Sequence, residues 1–237
     1  MRAATYFLSK DCFVCNAQNY WIVLNAKRDK YSCVTHADLM SIGARLHGWR
    51  SENGTSENFP QFESDTLIDS LISAGIITAD PGDGKPFVEC ECPVCERSLE
   101  VIEPDASVKH PLSCIASFFL ACARVDWYLR TKGLVRALAR IERRRIRVRS
   151  SAATRNAYAP RLIAAFKDFR PLYPRSYLCL FDSLALVEFL AINRVFPRVV
   201  FGVIADPFQA HCWLQEGNMV LNDDLERVAR YKPILSA

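Results

Sequence analysis

The chain has 237 residues, 30 Lys and Arg against 26 Asp and Glu, and a formal charge of +4, too little for whole-molecule electrostatics to point to a nucleic acid or an anionic membrane. Half of the residues are hydrophobic and 24% are charged, an ordinary globular composition that excludes a disordered or fibrous chain and leaves room for one large domain or two small ones. Ten cysteines occur, but the first residues lack the apolar core of a signal peptide, so the thiols are expected reduced and the protein cytoplasmic.

The chain opens with four short runs rich in aromatic and β-branched residues, at 5–8, 12–15, 20–24 and 30–34, with polar turns at 16–19 and 27–30. Helical periodicity follows at 36–47 and 63–74. In the second stretch Leu67, Leu71 and Ala74 share a stripe, Gly75 stops the helix, and 76–78 suits a short wing strand. Small strands followed by a helix pair predict a winged helix-turn-helix over residues 1–80. No Lys or Arg lies between Arg50 and Lys85, and the candidate recognition helix carries Glu63, Asp65 and Asp69. Such a surface repels phosphate, so the expected partners include no nucleic acid. A peptide added to an exposed strand edge suits it better; a purely structural cap on the next domain is the plain alternative.

Residues 81–107 read as a linker, dense in turn formers at its start. Within it Cys90, Cys92 and Cys95 could begin a zinc site, but no second Cys/His pair follows at the required spacing, and no metal is expected. Helical patterns then occupy 111–130, 133–149 and 154–169. The longest apolar runs, 111–125 and 177–192, fall short of the roughly 20 residues of a membrane span, so no membrane is expected. Nine of the twenty residues from Arg130 to Arg149 are basic; such a helix could contact an acidic partner protein, nucleotide phosphates or nucleic acid, but more commonly is a solvated face.

Chemistry concentrates in the last third. A helix is expected over 177–193 with Ser176 as N-cap, which puts Cys179 in its first turn, where the helix dipole and unpaired N–H groups favour thiolate. Strands at 198–204, 210–215 and 219–221 follow, the second bearing His211 and the third ending at Asn222-Asp223-Asp224. A helix-borne Cys, a strand-borne His and an Asp after the next strand suffice for acyl transfer: the imidazole deprotonates the thiol, and the carboxylate orients the imidazole. Asp223 is the expected acid, with Asp224 one residue away. Cys212 should face away from His211 and serve in packing.

Tyr177-Leu178-Cys179-Leu180-Phe181-Asp182-Ser183-Leu184-Ala185-Leu186 resembles the catalytic-cysteine helix of the lasso-peptide maturation B proteins, members of the transglutaminase-like superfamily. Gly202-Val203, then Pro207-Phe208-Gln209-Ala210-His211-Cys212-Trp213-Leu214-Gln215, resembles their histidine strand, although Cys212 stands where relatives often have a small residue. The resemblance implies an α+β chain, with the winged helix-turn-helix domain joined through 81–107 to a transglutaminase-like, papain-like cysteine protease domain at 108–237. Extending to the N-terminal part, it implies a precursor-recognition element built like the pyrroloquinoline-quinone pathway chaperone. A leader peptide would lie along the third strand, Tyr20, Trp21, Ile22, Val23 and Leu24, against the helix carrying Leu67 and Leu71. The implied activity is leader peptidase, with catalytic Cys179, His211 and Asp223, and the implied partners are the precursor leader and an asparagine-synthetase-like lasso cyclase. The family is associated with ATP, yet the chain has no phosphate-loop motif, so no cofactor is expected here and any ATP would act through the partner. An amine acyltransferase of the same fold and a non-catalytic precursor escort are the alternatives.

Overall fold

The computed structural model describes residues 4–49, 61–99, 110–148 and 159–237; part of the predicted linker and residues 154–158 of the third predicted helix lie outside them. By compactness the chain divides into Met1–Glu91 with Val203–Gln209 and Lys232–Leu235, and Cys92–Gly202 with Ala210–Tyr231 and Ser236–Ala237. Mixed helix and sheet, α+β, is what both contain.

In the first unit β1 (Phe7–Ser9) is followed by an antiparallel meander, β2 (Cys12–Ala17), β3 (Tyr20–Asn25) and β4 (Lys30–Thr35), with β3 in the centre. The Thr35 hydroxyl accepts from the Asp38 N–H (3.1 Å) and caps α1 (His36–Ile42). The predicted helix 36–47 ends there as α-helix and tightens into a 3-10 turn at Gly43–Arg45. Next, α2 (Gln61–Ser73) ends as the sequence demands. Gly75 adopts φ 68, its N–H bonds the Ile72 carbonyl (2.8 Å), and the Ile76 N–H bonds that of Leu71 (2.9 Å). Then β5 (Ile77–Thr78) and β6 (Gly84–Lys85) flank β1 in a separate three-stranded sheet. Leu8, Val14, Trp21, Val23, Leu39, Ile42, Ile68 and Leu71 belong to one buried core.

The second unit begins with β7 (Arg97–Ser98), then α3 (Leu112–Thr131), α4 (Gly133–Val148), α5 (Ala159–Phe169) and α6 (Cys179–Ile192). After these in chain order come β8 (Arg198–Ile204), β9 (Gln209–Glu216), β10 (Met219–Val220), α7 (Leu225–Val228) and β11 (Lys232–Ser236), of which Val203–Gln209 and Lys232–Leu235 count with the first unit. The five strands form a sheet in the order β11-β8-β9-β10-β7. Gly202 of β8 has to be small: a Cβ there would stand 2.7 Å from the Trp213 ring and 2.9 Å from the Tyr231 Cβ. A helix apolar on nearly all faces has to be buried, and α6 is, with Phe181, Leu184, Ala185, Leu186, Val187, Phe189 and Leu190 inside.

Glu188 is a charge within that apolar helix, and burying it requires partners. Arg124 of α3 and Arg140 and Arg144 of α4 supply them, at 3.2, 3.5 and 2.5 Å. Part of the basic stretch expected to be a solvated face is therefore turned inward to neutralise one carboxylate.

The expected shortfall of the apolar runs needs correction. The apolar run was counted to Val125, but the helix continues to Thr131, and by length and composition α3 is long and apolar enough to cross a membrane. One face of it, Cys114, Ser117, Phe118, Ala121, Cys122 and Val125, is buried within the protein.

Candidate functional site

α6 places its first residue, Cys179, at the point where backbone N–H groups have no partner in the helix. Ser176 is not the cap. The N-cap is Leu178, extended at φ −136 and ψ 125, and the Asp182 carboxylate reaches back to accept from the Leu178 N–H (3.1 Å). The helix thus starts two residues later than expected and brings the thiol closer to its positive end.

On β9, His211 is buried, 6% exposed, and its Nε2 lies 2.5 Å from Oδ2 of Asp223. That leaves Nδ1 for the thiol. The Cys179 sulfur is hydrogen-bonded to His211 and accepts from the backbone N–H groups of Leu180 and Cys212. The bond to His211 lowers the thiol pKa against the opposing effect of burial, and the imidazolium charge adds to it. Burial opposes a charged His211, but its bonds to Asp223 and Cys179 and their negative charges outweigh that and raise the imidazole to about 9. Burial likewise opposes charge on Asp223, yet the His211 bond and the Asp224 N–H hold its carboxyl below the usual value. These shifts all run in the direction of a thiolate–imidazolium pair with a carboxylate behind it.

Three neighbours fix that carboxylate. The Ser183 hydroxyl donates to the Cys212 carbonyl (2.9 Å) and accepts from the Asn222 amide (3.2 Å), whose oxygen accepts from the Leu214 N–H (2.7 Å). Asn222 thereby ties the end of β10 to β9 and α6, and Asp223 follows it. Oδ1 of Asp223 accepts from the Asp224 N–H (2.9 Å). Asp224 itself is exposed and is the N-cap of α7, so of the two it is the Asp223 carboxylate that meets the ring.

All ten cysteines are free, and only Cys33 and Cys179 are exposed. Cys212 is buried and its thiol is pushed up by burial, as a packing residue's should be. Cys92 and Cys95 donate to the side-chain oxygen of Gln215 at 3.6 and 3.0 Å. Among the described residues no group of three or more His, Cys, Asp and Glu side chains could hold a metal ion.

The peptide-binding expectation needs correcting. Tyr20, Trp21, Ile22, Val23 and Leu24 lie on β3, which pairs with β2 on one side and β4 on the other along its whole length, so its backbone has no free edge to offer. Trp21, Ile22, Val23 and Leu24 are also buried. Residues 5–8 pattern as the first strand of the meander, but β1 belongs to another sheet. The meander's third strand is β4. Leu71 is core, and Leu67 is half-buried against it. Residues missed from sequence are Asp182, Ser183 and Asn222; the one signal was a charge, Asp182, inside an apolar helix.

A family model described as Transglutaminase-like superfamily matches residues 121–236, the stretch that contains Cys179, His211 and Asp223, and this part of the chain is similar to that superfamily. No curated protein and no solved structure matches the chain.

Proposed function

We propose that the chain is a cytoplasmic cysteine endopeptidase that removes the leader from a ribosomally made lasso-peptide precursor. The observation that carries the reading is Cys179: an exposed thiol at a helix start, hydrogen-bonded to His211 and lowered in pKa, while burial pushes up Cys12, Cys15, Cys33, Cys92, Cys95, Cys114, Cys122 and Cys212. Its thiolate attacks the scissile carbonyl, protonated His211 passes its proton to the leaving amine, and a thioester forms. Neutral His211 then activates a water, Asp223 steadying the ring throughout. The resemblance of 177–186 and 202–215 to the lasso B proteins supports the substrate class.

In this reading the first unit is a winged helix-turn-helix recognition element for the leader. On the same reading β4 (Lys30–Thr35), an outer strand of its three-stranded sheet, takes the role first given to β3. The released core passes to an asparagine-synthetase-like cyclase, and any ATP is used there.

The test is incubation of purified protein with a precursor peptide and mass measurement of the products. Free leader and core support the proposal; a product joined to an added amine replaces it with acyl transfer, and full cleavage by Cys179→Ala removes both. Hydrogen exchange with leader present should slow at β4 and stay unchanged at β3.

A further inference from the structure

Arg170 is 4% exposed, and nothing in the triad uses it. We infer that Arg170 and Asp182 are a positioning pair that sets where α6 begins and so aims Cys179; the inference rests on the proposed role of that thiol. The Arg170 guanidinium donates to Oδ1 of Asp182 (2.5 Å) and to the carbonyls of Tyr173 (3.2 Å), Arg175 (3.0 Å) and Ser176 (3.1 Å). Its plane also lies 4.4 Å from the Tyr177 ring centroid. The second Asp182 oxygen accepts from the Leu178 N–H. Between them the two side chains hold residues 173, 175, 176, 177 and 178, nearly the whole approach to the nucleophile.

This fixes the helix start. With the Ser176 carbonyl bonded to Arg170 and the Leu178 N–H to Asp182, the backbone stays out of the helix through Leu178, and Cys179 becomes the first helical residue. The Leu180 N–H then points at the sulfur. A start nearer Ser176 would bury that N–H in the helix ladder and rotate the thiol from His211. Only a planar fork reaches three carbonyls and a carboxylate at once; lysine has no such geometry.

The test compares Arg170→Met, Arg170→Lys and Asp182→Asn with the native chain. Two readouts are used: the pH profile of Cys179 alkylation by iodoacetamide and the kcat and KM of precursor cleavage. Asp182→Asn leaves volume unchanged and can accept from Arg170 or from Leu178 but not both, so it carries the test if Arg170→Met fails to fold. Expected are an alkylation rate at pH 6 lowered about tenfold, equivalent to a one-unit rise of the thiol pKa, and kcat lowered on the order of 10²-fold with KM little changed. Arg170→Lys should fall between. An alkylation profile identical to native in folded Asp182→Asn, with only the melting temperature reduced, overturns the inference and leaves the pair a stability element. Alkylation needs no substrate, so the peptidase reading fails on the cleavage assay and the positioning pair fails on the alkylation profile.

Discussion

The two exposed thiols, Cys33 on β4 of the first unit and Cys179 at the head of α6 in the second, have opposite characters. Cys33 sits opposite Ile22 of β3, and partial burial raises its pKa. Cys179 meets an imidazole and two backbone N–H groups, and its pKa falls. Exposure grants access; the surrounding donors grant reactivity.

The largest effect that could break this contrast is the loss of one sulfur. Cys179→Ala should reduce precursor cleavage at least about 10⁴-fold, a triad-sized loss, while Cys33→Ala should leave the rate within about twofold; equal losses, read by product mass against time, would erase the distinction. Asp223→Asn should lower kcat on the order of 10³–10⁴-fold, since the ring loses its orienting charge, whereas Asp224→Asn should change it less than about twofold. A large loss in Asp224→Asn would move the acid.

The pH dependence sharpens the contrast further. Thiolate forms as pH rises through the lowered Cys179 value, so kcat/KM should climb there, below the ordinary thiol value of 9.0. It should fall again near pH 9, where His211 gives up the proton it donates to the leaving group. His211→Ala should return the Cys179 alkylation midpoint upward and leave that of Cys33 in place. The smallest change concerns the scaffold: Gly202→Ala drives a Cβ into the Trp213 ring and should lower stability by about 1–3 kcal/mol in denaturant unfolding.

Much of the site was legible because its parts are local in sequence. Cys179 announces itself by an apolar helix behind it, and a short hairpin brings His211 and Asp223 together. The helix start was not legible, because Ser176 is a good N-cap by residue type while its carbonyl is taken by Arg170, a contact made across a turn no periodicity reveals. Nor was the central position of β3: residues 5–8 look like a strand of the meander, and only their pairing with β5 and β6 removes them from it. Likewise the arginines of α4 look solvated until Glu188 is placed opposite them. Pattern reports which face is apolar; it does not report which long side chain reaches across.

A thiol lowered in pKa and open to solvent is also where oxidants strike first. Peroxide at low dose should convert Cys179 to the sulfenic acid, which an added thiol reverses, and at higher dose to the sulfinic acid, which it does not. The protein therefore carries its sensitivity to air in the same atom as its reactivity, and a preparation kept under reductant should differ from an aged one by the mass of oxygen on a single side chain.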